Sequence, residues 1–360
     1  MVNYQSFQLS ITYFGTMCKY ILVASLVMIS CAAPQGKVEE SNLPQLAIEL
    51  KLLHAVQSNH IRGLHLLNDE IAWASGAAGT FMRCVDGNEW SADTIAGYTH
   101  LDFRDVHAFT DSIALVMAAG DEGRILRTED GGDSWIEVYT RLDTGIFLDG
   151  MDFFGNVGYC YGDPIDGKMV LIKSEDQGRT WTEVDLETIP SAMPKEAGFA
   201  ASGTGIIVNG KTIHIATGGD IAARVLTFQE DEWNAISTPM RGGEACGIFS
   251  MAFVPPSTLV TVGGCYLDLA ASAGNCAISN DNGMTWELIS ENQPRGYRSC
   301  VAYSESSDLL VACGRTGIDY SLDQGRTWSS ISDEGFYTCS LGDSTGWLMG
   351  RGGKLAKLTW

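Results

Sequence analysis

Basic residues are scarce in this chain, and helical patterns are missing from most of it. Among its 360 residues, 23 are Lys or Arg and 44 are Asp or Glu, which gives a formal net charge of −21. A surface of this sign repels nucleic acid and anionic lipid head groups, so a DNA or RNA partner is not expected. After residue 60, no apolar pattern of helical period is longer than two turns, which argues against an α/β fold.

Acidic residues are absent from the first 30 positions, where Lys19 precedes the apolar run Tyr20–Ser30. This run is too short to span a bilayer as a stable helix, but it suits the hydrophobic core of a signal peptide. We therefore predict that residues 1–30 are a signal peptide. Met17 is an alternative start to Met1, because it gives a more compact signal.

The junction that follows the apolar run resembles the lipobox of bacterial lipoproteins, in which a small residue precedes a lipidated cysteine. Here Ser30 precedes Cys31, and Met28 stands where Leu is usual. The resemblance predicts that Cys31 is lipidated, that residues 31–42 are a tether, and that this anchor is the chain's contact with the membrane. The protein would then lie in the cell envelope, facing the periplasm or the exterior. The alternative is a plain secretory signal that ends near Ala33.

Metal-binding motifs of the Cys-x-x-Cys, His-x-Glu and His-Glu-x-x-His types are missing, so neither a metal nor a cofactor is indicated. Without Cys18 and Cys31, eight of the ten cysteines remain, and an envelope location permits disulfides. Cys265 and Cys276 flank one predicted hairpin turn, so they are the predicted bridge. Cys300 and Cys339, in neighbouring units, are predicted to be small core residues.

A repeated eight-residue turn is the strongest signal in the chain. Its pattern is Ser/Thr-x-Asp-x-Gly-x-Ser/Thr-Trp, known as the Asp-box or bacterial neuraminidase repeat. The Asp carboxylate accepts hydrogen bonds from the turn, and the Gly supplies a positive φ. We interpret the aspartates as structural, because no EF-hand spacing of oxygen ligands accompanies them. The four copies contain Asp130, Gly132 and Trp135; Asp176, Gly178 and Trp181; Asp281, Gly283 and Trp286; and Asp323, Gly325 and Trp328.

Weaker copies of the turn extend the repeat. With Trp90 and Trp233, the tryptophans are spaced by 45, 46, 52, 53 and 42 residues, the length of a four-stranded propeller blade. A partial unit ends the chain, and a strand at 45–53 precedes the first unit without a blade of its own. The sequence therefore predicts an all-β, seven-bladed propeller over residues 43–360, closed by the N-terminal strand. A six-bladed ring is the alternative if the decayed fourth unit merges with its neighbour.

The innermost strands of the seven units carry the candidate binding residues, because ligands of propellers sit at the mouth of the central channel. Aligning these strands by apolar alternation gives one column across the units, in which a one-residue slip would turn a side chain to the other face. Arginines in such a column would bind an acidic ligand, a peptide carboxylate or a glycan. The alternative is that the charges simply neutralise one another. The charged and phenolic members are Arg62, Arg104, Asp149, Glu196, Arg298 and Tyr337.

The turns and this column resemble those of sialidases. That resemblance implies that Arg62, Arg104 and Arg298 bind the carboxylate of the substrate. It also implies that Tyr337, paired with Glu196, is the nucleophile and that Asp149 is the catalytic acid/base. Sialidases, however, have six blades and a Phe-Arg-Ile-Pro motif. In this chain Phe103 and Arg104 are followed by Asp105 and Val106, and they lie in the second unit.

A second resemblance covers almost the whole chain after residue 60. The segments 72–83, 119–132 and 346–354 look like the recurrent blade phrase of the photosystem II assembly and stability factor family and of its relatives in non-photosynthetic bacteria. This resemblance implies a seven-bladed, lipid-anchored or lumenal scaffold that binds protein partners. The expected function is accordingly non-catalytic binding or assembly in the cell envelope, and the alternative is a glycoside hydrolase of the sialidase type.

Overall fold

Seven four-stranded antiparallel sheets make up the protein in the computed structural model, which describes residues 46–360. Each sheet is one blade, and the blades surround a central channel. The predicted seven-bladed propeller is confirmed, and the six-bladed alternative is wrong because the fourth unit forms a sheet of its own. The predicted signal peptide and the tether residue Cys31 lie outside the described residues.

The strands follow the chain from blade to blade. The first strand is β1 (Glu49–Leu53). Blade one consists of β2 (Ile61–Leu66), β3 (Ala72–Gly76), β4 (Thr80–Cys84) and β5 (Trp90–Thr94). Blade two consists of β6 (Asp102–Ala108), β7 (Ala114–Ala119), β8 (Gly123–Thr128) and β9 (Ile136–Arg141). Blade three consists of β10 (Leu148–Phe154), β11 (Val157–Ile165), β12 (Lys168–Ser174) and β13 (Thr182–Glu183).

The second half of the ring repeats this order. Blade four consists of β14 (Ile206–Asn209), β15 (Thr212–Ala216), β16 (Arg224–Gln229) and β17 (Glu232–Ser237). Blade five consists of β18 (Cys246–Val254), β19 (Thr258–Cys265), β20 (Cys276–Ser279) and β21 (Glu287–Leu288). Blade six consists of β22 (Cys300–Ser304), β23 (Leu309–Gly314), β24 (Gly317–Ser321) and β25 (Ser329–Ser332). The last three strands are β26 (Thr338–Leu341), β27 (Thr345–Met349) and β28 (Leu355–Thr359).

Blade seven is completed by the N-terminal strand, as predicted. β1 pairs antiparallel with β28, so that Glu49 faces Thr359 and Leu53 faces Leu355. The sheet order is β1-β28-β27-β26, which places β1 outermost. The edge that the three C-terminal strands would otherwise leave open is therefore paired.

Each predicted Asp-box forms a compact hydrogen-bonded turn between the third and fourth strands of its blade. In blade three, Asp176 Oδ1 accepts from the Thr180 amide at 2.9 Å and from Ser174 Oγ at 2.8 Å, and Asp176 Oδ2 accepts from Thr180 Oγ1 at 2.7 Å. Gly178 has a φ of 76°, and its amide donates to Ser174 Oγ at 2.8 Å. The same bonds recur around Asp130, Asp281 and Asp323. The motif thus builds the turn, as its residue types predict.

The apolar core lies between neighbouring blades. One cluster joins Leu64 and Met82 of blade one to Trp347 and Met349 of blade seven, and comparable clusters fill the other contacts. Helical structure among residues 46–360 is limited to three-residue turns at Leu186–Thr188, Glu305–Ser307 and Arg351–Gly353. None of these is long and apolar enough to cross a membrane.

Candidate functional site

The innermost strands all begin at one face of the ring, which we call the upper face. There the channel opens into a cavity of about 470 Å³, which we call the upper mouth. Its polar lining includes Arg62, Arg104 and Tyr337, three of the residues that the sequence singles out, together with Arg315, Asp163 and Glu244. The opening therefore combines three guanidinium groups with two carboxylates.

A β-bulge at the start of the innermost strand places several of these side chains. The register between first and second strands shifts at Arg62 in blade one, at Arg104 in blade two, at Asp149 in blade three and at Phe249 in blade five. A bulge adds one unpaired residue and redirects its side chain. Arg62, Arg104 and Phe249 are in this way brought to the upper mouth.

Arg62 and Arg104 differ in their partners. Arg104 Nε donates to Asp102 Oδ2 at 2.8 Å, so its charge is balanced. The Arg62 guanidinium lies 4.5 Å above the ring of Tyr337, its buried Nε has no hydrogen-bond partner, and within residues 46–360 it forms no ion pair. Burial, and then the positive charge of Arg104, lower the pKa of Arg62. The charge of Asp102 opposes this lowering, but Asp102 forms no ion pair with Arg62, so an anion at this position would supply a direct counter-charge.

Aromatic rings form one wall of the upper mouth. Phe199 and Phe249 stack with ring centroids 3.9 Å apart, and Tyr297 meets Phe249 edge-on at 4.8 Å. Tyr266 approaches both phenylalanines edge-on, at 6.4 and 6.2 Å. Such rings offer apolar contact area with little side-chain entropy to lose, which suits a binding surface.

Asp149 occupies a bulge position, but its carboxyl group does not reach the upper mouth. The side chain is fully buried, and neither carboxylate oxygen has a hydrogen-bond partner. Gly198 covers it so closely that a Cβ there would lie 2.2 Å from Asp149 Oδ2. Burial, and then the charge of Asp163, raise the pKa of Asp149 well above its ordinary value. Burial therefore disfavours the ionised form of this carboxyl group.

Glu196 is not on an innermost strand, contrary to the sequence alignment. The innermost strand of blade four is β14, and Glu196 precedes it in a connection rich in glycine. Its Oε1 accepts from Arg224 Nε at 2.9 Å and from Thr217 Oγ1 at 2.6 Å, and its Oε2 accepts from the Met193 amide at 2.8 Å. The carboxylate is thus fully used in holding this connection to blade four.

Arg298 is also misplaced by the alignment, by one residue. Its amide donates to Gly263 O of the preceding blade at 2.9 Å, just as the Ile61 amide donates to Gly350 O at 3.1 Å. Arg298 therefore corresponds to the buried Ile61, and Ser299 is the residue that lines the upper mouth. The Arg298 side chain is fully buried, with Nε 2.9 Å from Asp319 Oδ2.

The geometry that a tyrosine-nucleophile hydrolase requires is not assembled. Such an enzyme needs its three arginines around one pocket and a hydrogen bond between the tyrosine and the glutamate. Here Arg298 is paired with Asp319 and Glu196 with Arg224, and no hydrogen bond joins Tyr337 to Glu196. Of the six predicted residues, only Arg62, Arg104 and Tyr337 share the upper mouth.

The disulfide prediction is wrong in one partner. Cys265 is bonded to Cys246, not to Cys276. Cys246 and Cys265 face each other across β18 and β19, with Cα atoms 4.0 Å apart, whereas Cys276 faces Val262 and is a buried free thiol. Strand register, not closeness in sequence, selects the pair. Cys300 and Cys339 are buried free thiols, as predicted.

A second group of titratable residues lies at the lower face. The rings of His65 and His107 are 4.4 Å apart, and His107 Nδ1 is 4.0 Å from Asp152 Oδ1. Burial lowers the pKa of His65 to about 4 and raises the pKa of Asp152 to about 7. Within residues 46–360, no group of three or more His, Cys, Asp or Glu residues is placed to hold a metal ion.

Comparison with known proteins supports the architecture. Neither a protein-family model nor a curated protein matches the sequence. Among solved structures, YCF48 bound to a D1 peptide matches with 16% identity and a TM-score of 0.62, over 86% of this chain and 97% of that one. Virginiamycin B lyase from Staphylococcus aureus matches with 12% identity and a TM-score of 0.63, over 87% of this chain and 100% of that one.

A glycoside hydrolase has the same type of fold. The GH74 xyloglucanase from Xanthomonas campestris matches with 14% identity and a TM-score of 0.59, over 86% of this chain and 53% of that one. A binding protein, a lyase and a hydrolase thus share this architecture. At these identities the likeness establishes the propeller fold alone, because one fold hosts many functions.

Proposed function

We propose that this protein is a non-catalytic scaffold of the bacterial cell envelope that binds an acidic segment of a partner protein at its upper mouth. The observation that carries the proposal is the state of Arg62. Its guanidinium sits beside the positive charge of Arg104 and over Tyr337, without an ion-pair partner among residues 46–360. A half-buried charge of this kind is stabilised by a counter-ion, and a carboxylate matches the donor fork of arginine.

Neutralisation within the protein accounts for the other predicted charges. Arg104 is balanced by Asp102, and Arg298 by Asp319. Glu196 is balanced by Arg224, and burial disfavours the charged form of Asp149. Arg62 remains as the group that a ligand would satisfy. The aromatic wall beside it would hold the apolar part of the same ligand.

The likeness to YCF48 adds support for a peptide as the ligand, since that propeller is bound to a D1 peptide. The blade phrase that resembles the photosystem II assembly factor family points in the same direction. In this chain the partner is defined by its chemistry, namely an accessible segment with at least one carboxylate next to an apolar side chain.

Binding of short fluorescein-labelled peptides, followed by fluorescence anisotropy, tests the proposal. One peptide carries Glu residues beside Leu, and its neutral counterpart carries Gln in their place. The wild-type protein should prefer the Glu peptide, and added salt should weaken that preference. Arg62→Met, which keeps an apolar stem, should abolish the preference. Arg179→Met, which changes an exposed arginine of the blade-three turn, is the control.

Equal binding of the Glu peptide by wild type and Arg62→Met would overturn this assignment of the site. An oligosaccharide of uronic acids serves as a comparison ligand. If it binds through Arg62 while the Glu peptide does not, the ligand is an acidic glycan and the protein-scaffold proposal is wrong.

The envelope location is part of the proposal and rests on the Ser30–Cys31 junction. Cys31→Ala should release the protein from membranes into the soluble periplasmic fraction, because the lipid would no longer be attached. Cys18→Ala, a change within the predicted signal peptide, is the control. Retention of Cys31→Ala in the membrane fraction would rule out lipidation at this cysteine.

A further inference from the structure

Three connections of blades four and five form one continuous ledge on the upper face, just outside the upper mouth. They are residues 220–222, 241–246 and 265–270, which we call the rim. The Gly243 amide donates to Asp220 O at 2.6 Å, and the Tyr266 amide donates to Ala245 O at 3.1 Å. The disulfide between Cys246 and Cys265 ties the second connection to the third. The rim is therefore held together by covalent and backbone bonds.

The rim exposes the two most solvent-accessible large apolar side chains of residues 46–360. Ile221 is 89% exposed and Leu267 is 78% exposed. Tyr266, which is 41% exposed, stands between Leu267 and the upper mouth and belongs to both surfaces. Single exposed apolar residues are ordinary, but apolar residues continuous with a binding cavity mark an interaction surface.

Acidic residues surround these apolar side chains. Asp220 and Glu244 form no ion pair among residues 46–360, and Asp268 is 3.2 Å from Arg241. The rim is thus net negative, whereas the upper mouth has three arginines against two carboxylates, of which Glu244 belongs to both surfaces. A lipid surface is a poor occupant, because the rim acids would face anionic or zwitterionic head groups. β1 also enters its blade from the opposite, lower face.

We propose that the rim docks a second part of the partner segment that the upper mouth holds, so that the segment carries an acidic group, then apolar side chains, then a basic group. The acidic group meets Arg62, the apolar side chains cover Leu267 and Ile221, and the basic group faces Asp220 and Glu244. This inference rests on the proposed function and adds the order of side chains that the site selects. Because the rim is held in place before binding, little entropy is lost on docking.

Three labelled peptides of equal length test this inference. The first has the order Glu, Leu-Leu, Lys; the second has Ser in place of Leu; the third has the reverse order. The first should bind wild type at least about tenfold more tightly than the second, since two aliphatic side chains lose water on docking. It should also bind more tightly than the third, in which the acidic and basic groups have exchanged places. Ile221→Ser combined with Leu267→Ser should remove the advantage over the second peptide. The control combines Ile136→Ser with Leu142→Ser, two exposed residues of blade two.

The outcomes separate the two proposals. If all three peptides bind through Arg62 with equal affinity, the proposed function stands and the rim inference is wrong. If none of them depends on Arg62, the proposed function itself fails. Unchanged melting temperatures show that the rim variant is folded. The rim variant is also sedimented with vesicles of phosphatidylcholine and phosphatidylglycerol. If it no longer sediments with them but keeps its peptide preference, the rim is a membrane contact and the inference is wrong.

Discussion

Gly178 of the blade-three Asp-box lies directly against Leu115 of blade two, and a Cβ added at Gly178 would come within 2.4 Å of Leu115 Cδ1. The equivalent glycines of the other boxes make the same kind of contact. Gly132 meets Phe81, Gly283 meets His214, and Gly325 meets Val260, each in the preceding blade. The glycine of the repeat is therefore needed twice, once for its positive φ and once because the neighbouring blade leaves no room for a side chain.

Gly178→Ala should destabilise the protein more than Gly167→Ala does. Both glycines have nearly the same φ, 76° and 77°, but an added Cβ at Gly167 meets nothing within 4 Å. Gly167→Ala measures backbone strain alone, about 1 kcal/mol. Gly178→Ala should cost a further 1–3 kcal/mol or so, because it overpacks the contact between blades. Urea unfolding measures both, and equal losses would show that the blades yield at this contact.

Asp176→Ala should lower stability without weakening peptide binding. The carboxylate accepts three hydrogen bonds within its turn, and their loss leaves donors without partners, at a cost of about 1–3 kcal/mol. Asp133→Ala changes an exposed residue of the blade-two turn and should be close to neutral. A variant with normal melting but lost peptide binding would mean that the turn, not the upper mouth, is the binding site.

Arg298→Ala should lower the stability of the protein strongly, whereas Arg104→Ala should change stability little and act on peptide binding. Arg298 and Asp319 form a buried ion pair, and Arg295 also contacts Asp319, so removing Arg298 should cost about 3 kcal/mol of unfolding free energy. Arg104 and Asp102 are each 29% exposed, and such a pair contributes about 1 kcal/mol or less. Thermal unfolding measures stability and peptide titration measures binding. Greater instability of Arg104→Ala would contradict the positions assigned to the two arginines.

The contribution of His214 to the stability of the protein should fall as the pH drops from about 6.5 to about 4. This side chain is buried, its Nδ1 lies 3.1 Å from Thr227 Oγ1, and burial lowers its pKa to about 4. Below pH 6.5 His214 binds a proton in the unfolded chain but stays neutral in the folded protein. Proton binding therefore stabilises the unfolded state relative to the folded state. Fully developed, this contribution is about 3 kcal/mol. His214→Gln should lose that part of the pH dependence, and His54→Gln, at an exposed histidine, should keep it.

Deleting residues 43–56 should abolish cooperative unfolding or cause aggregation. The deletion removes β1 and leaves the outer edge of β28 unpaired. Calorimetry and light scattering measure the two effects. A deletion variant that melts in one transition at the wild-type temperature would show that the ring does not depend on β1.

The blade architecture could be predicted because it is written into local and periodic features. The Trp spacing sets the blade length, the Asp-box sets the turn, and the strand at the start of the chain matches the strand missing at its end. All of these features can be read from the sequence without knowledge of distant contacts. The strand predicted at 45–53, for instance, contains β1 (Glu49–Leu53), which pairs with β28.

The site was only partly predictable, because the alternation of apolar residues along a strand does not reveal where a β-bulge lies. An unpaired residue at Arg62 and at Arg104 moves both side chains into the upper mouth, whereas Arg298 lies one residue away from the equivalent position. Glu196 was misplaced because β14 follows a long connection with Gly198, Gly203 and Gly205. Three further residues of the upper mouth lie in connections between strands, where the sequence has no hydrophobic periodicity that would mark them: Tyr266, Tyr297 and Arg315.

Pairing of β1 with β28 also fixes the order in which the protein can mature. β1 leaves the ribosome before any blade exists, yet its partner is the last strand of the ring to be made. The two can meet only after β28 has been synthesised, so the ring cannot close before that strand has emerged. Closure then joins the most distant strands of the fold, the kind of contact that makes folding slow. The nascent protein carries an open edge until that moment, which is when protection by a chaperone matters most.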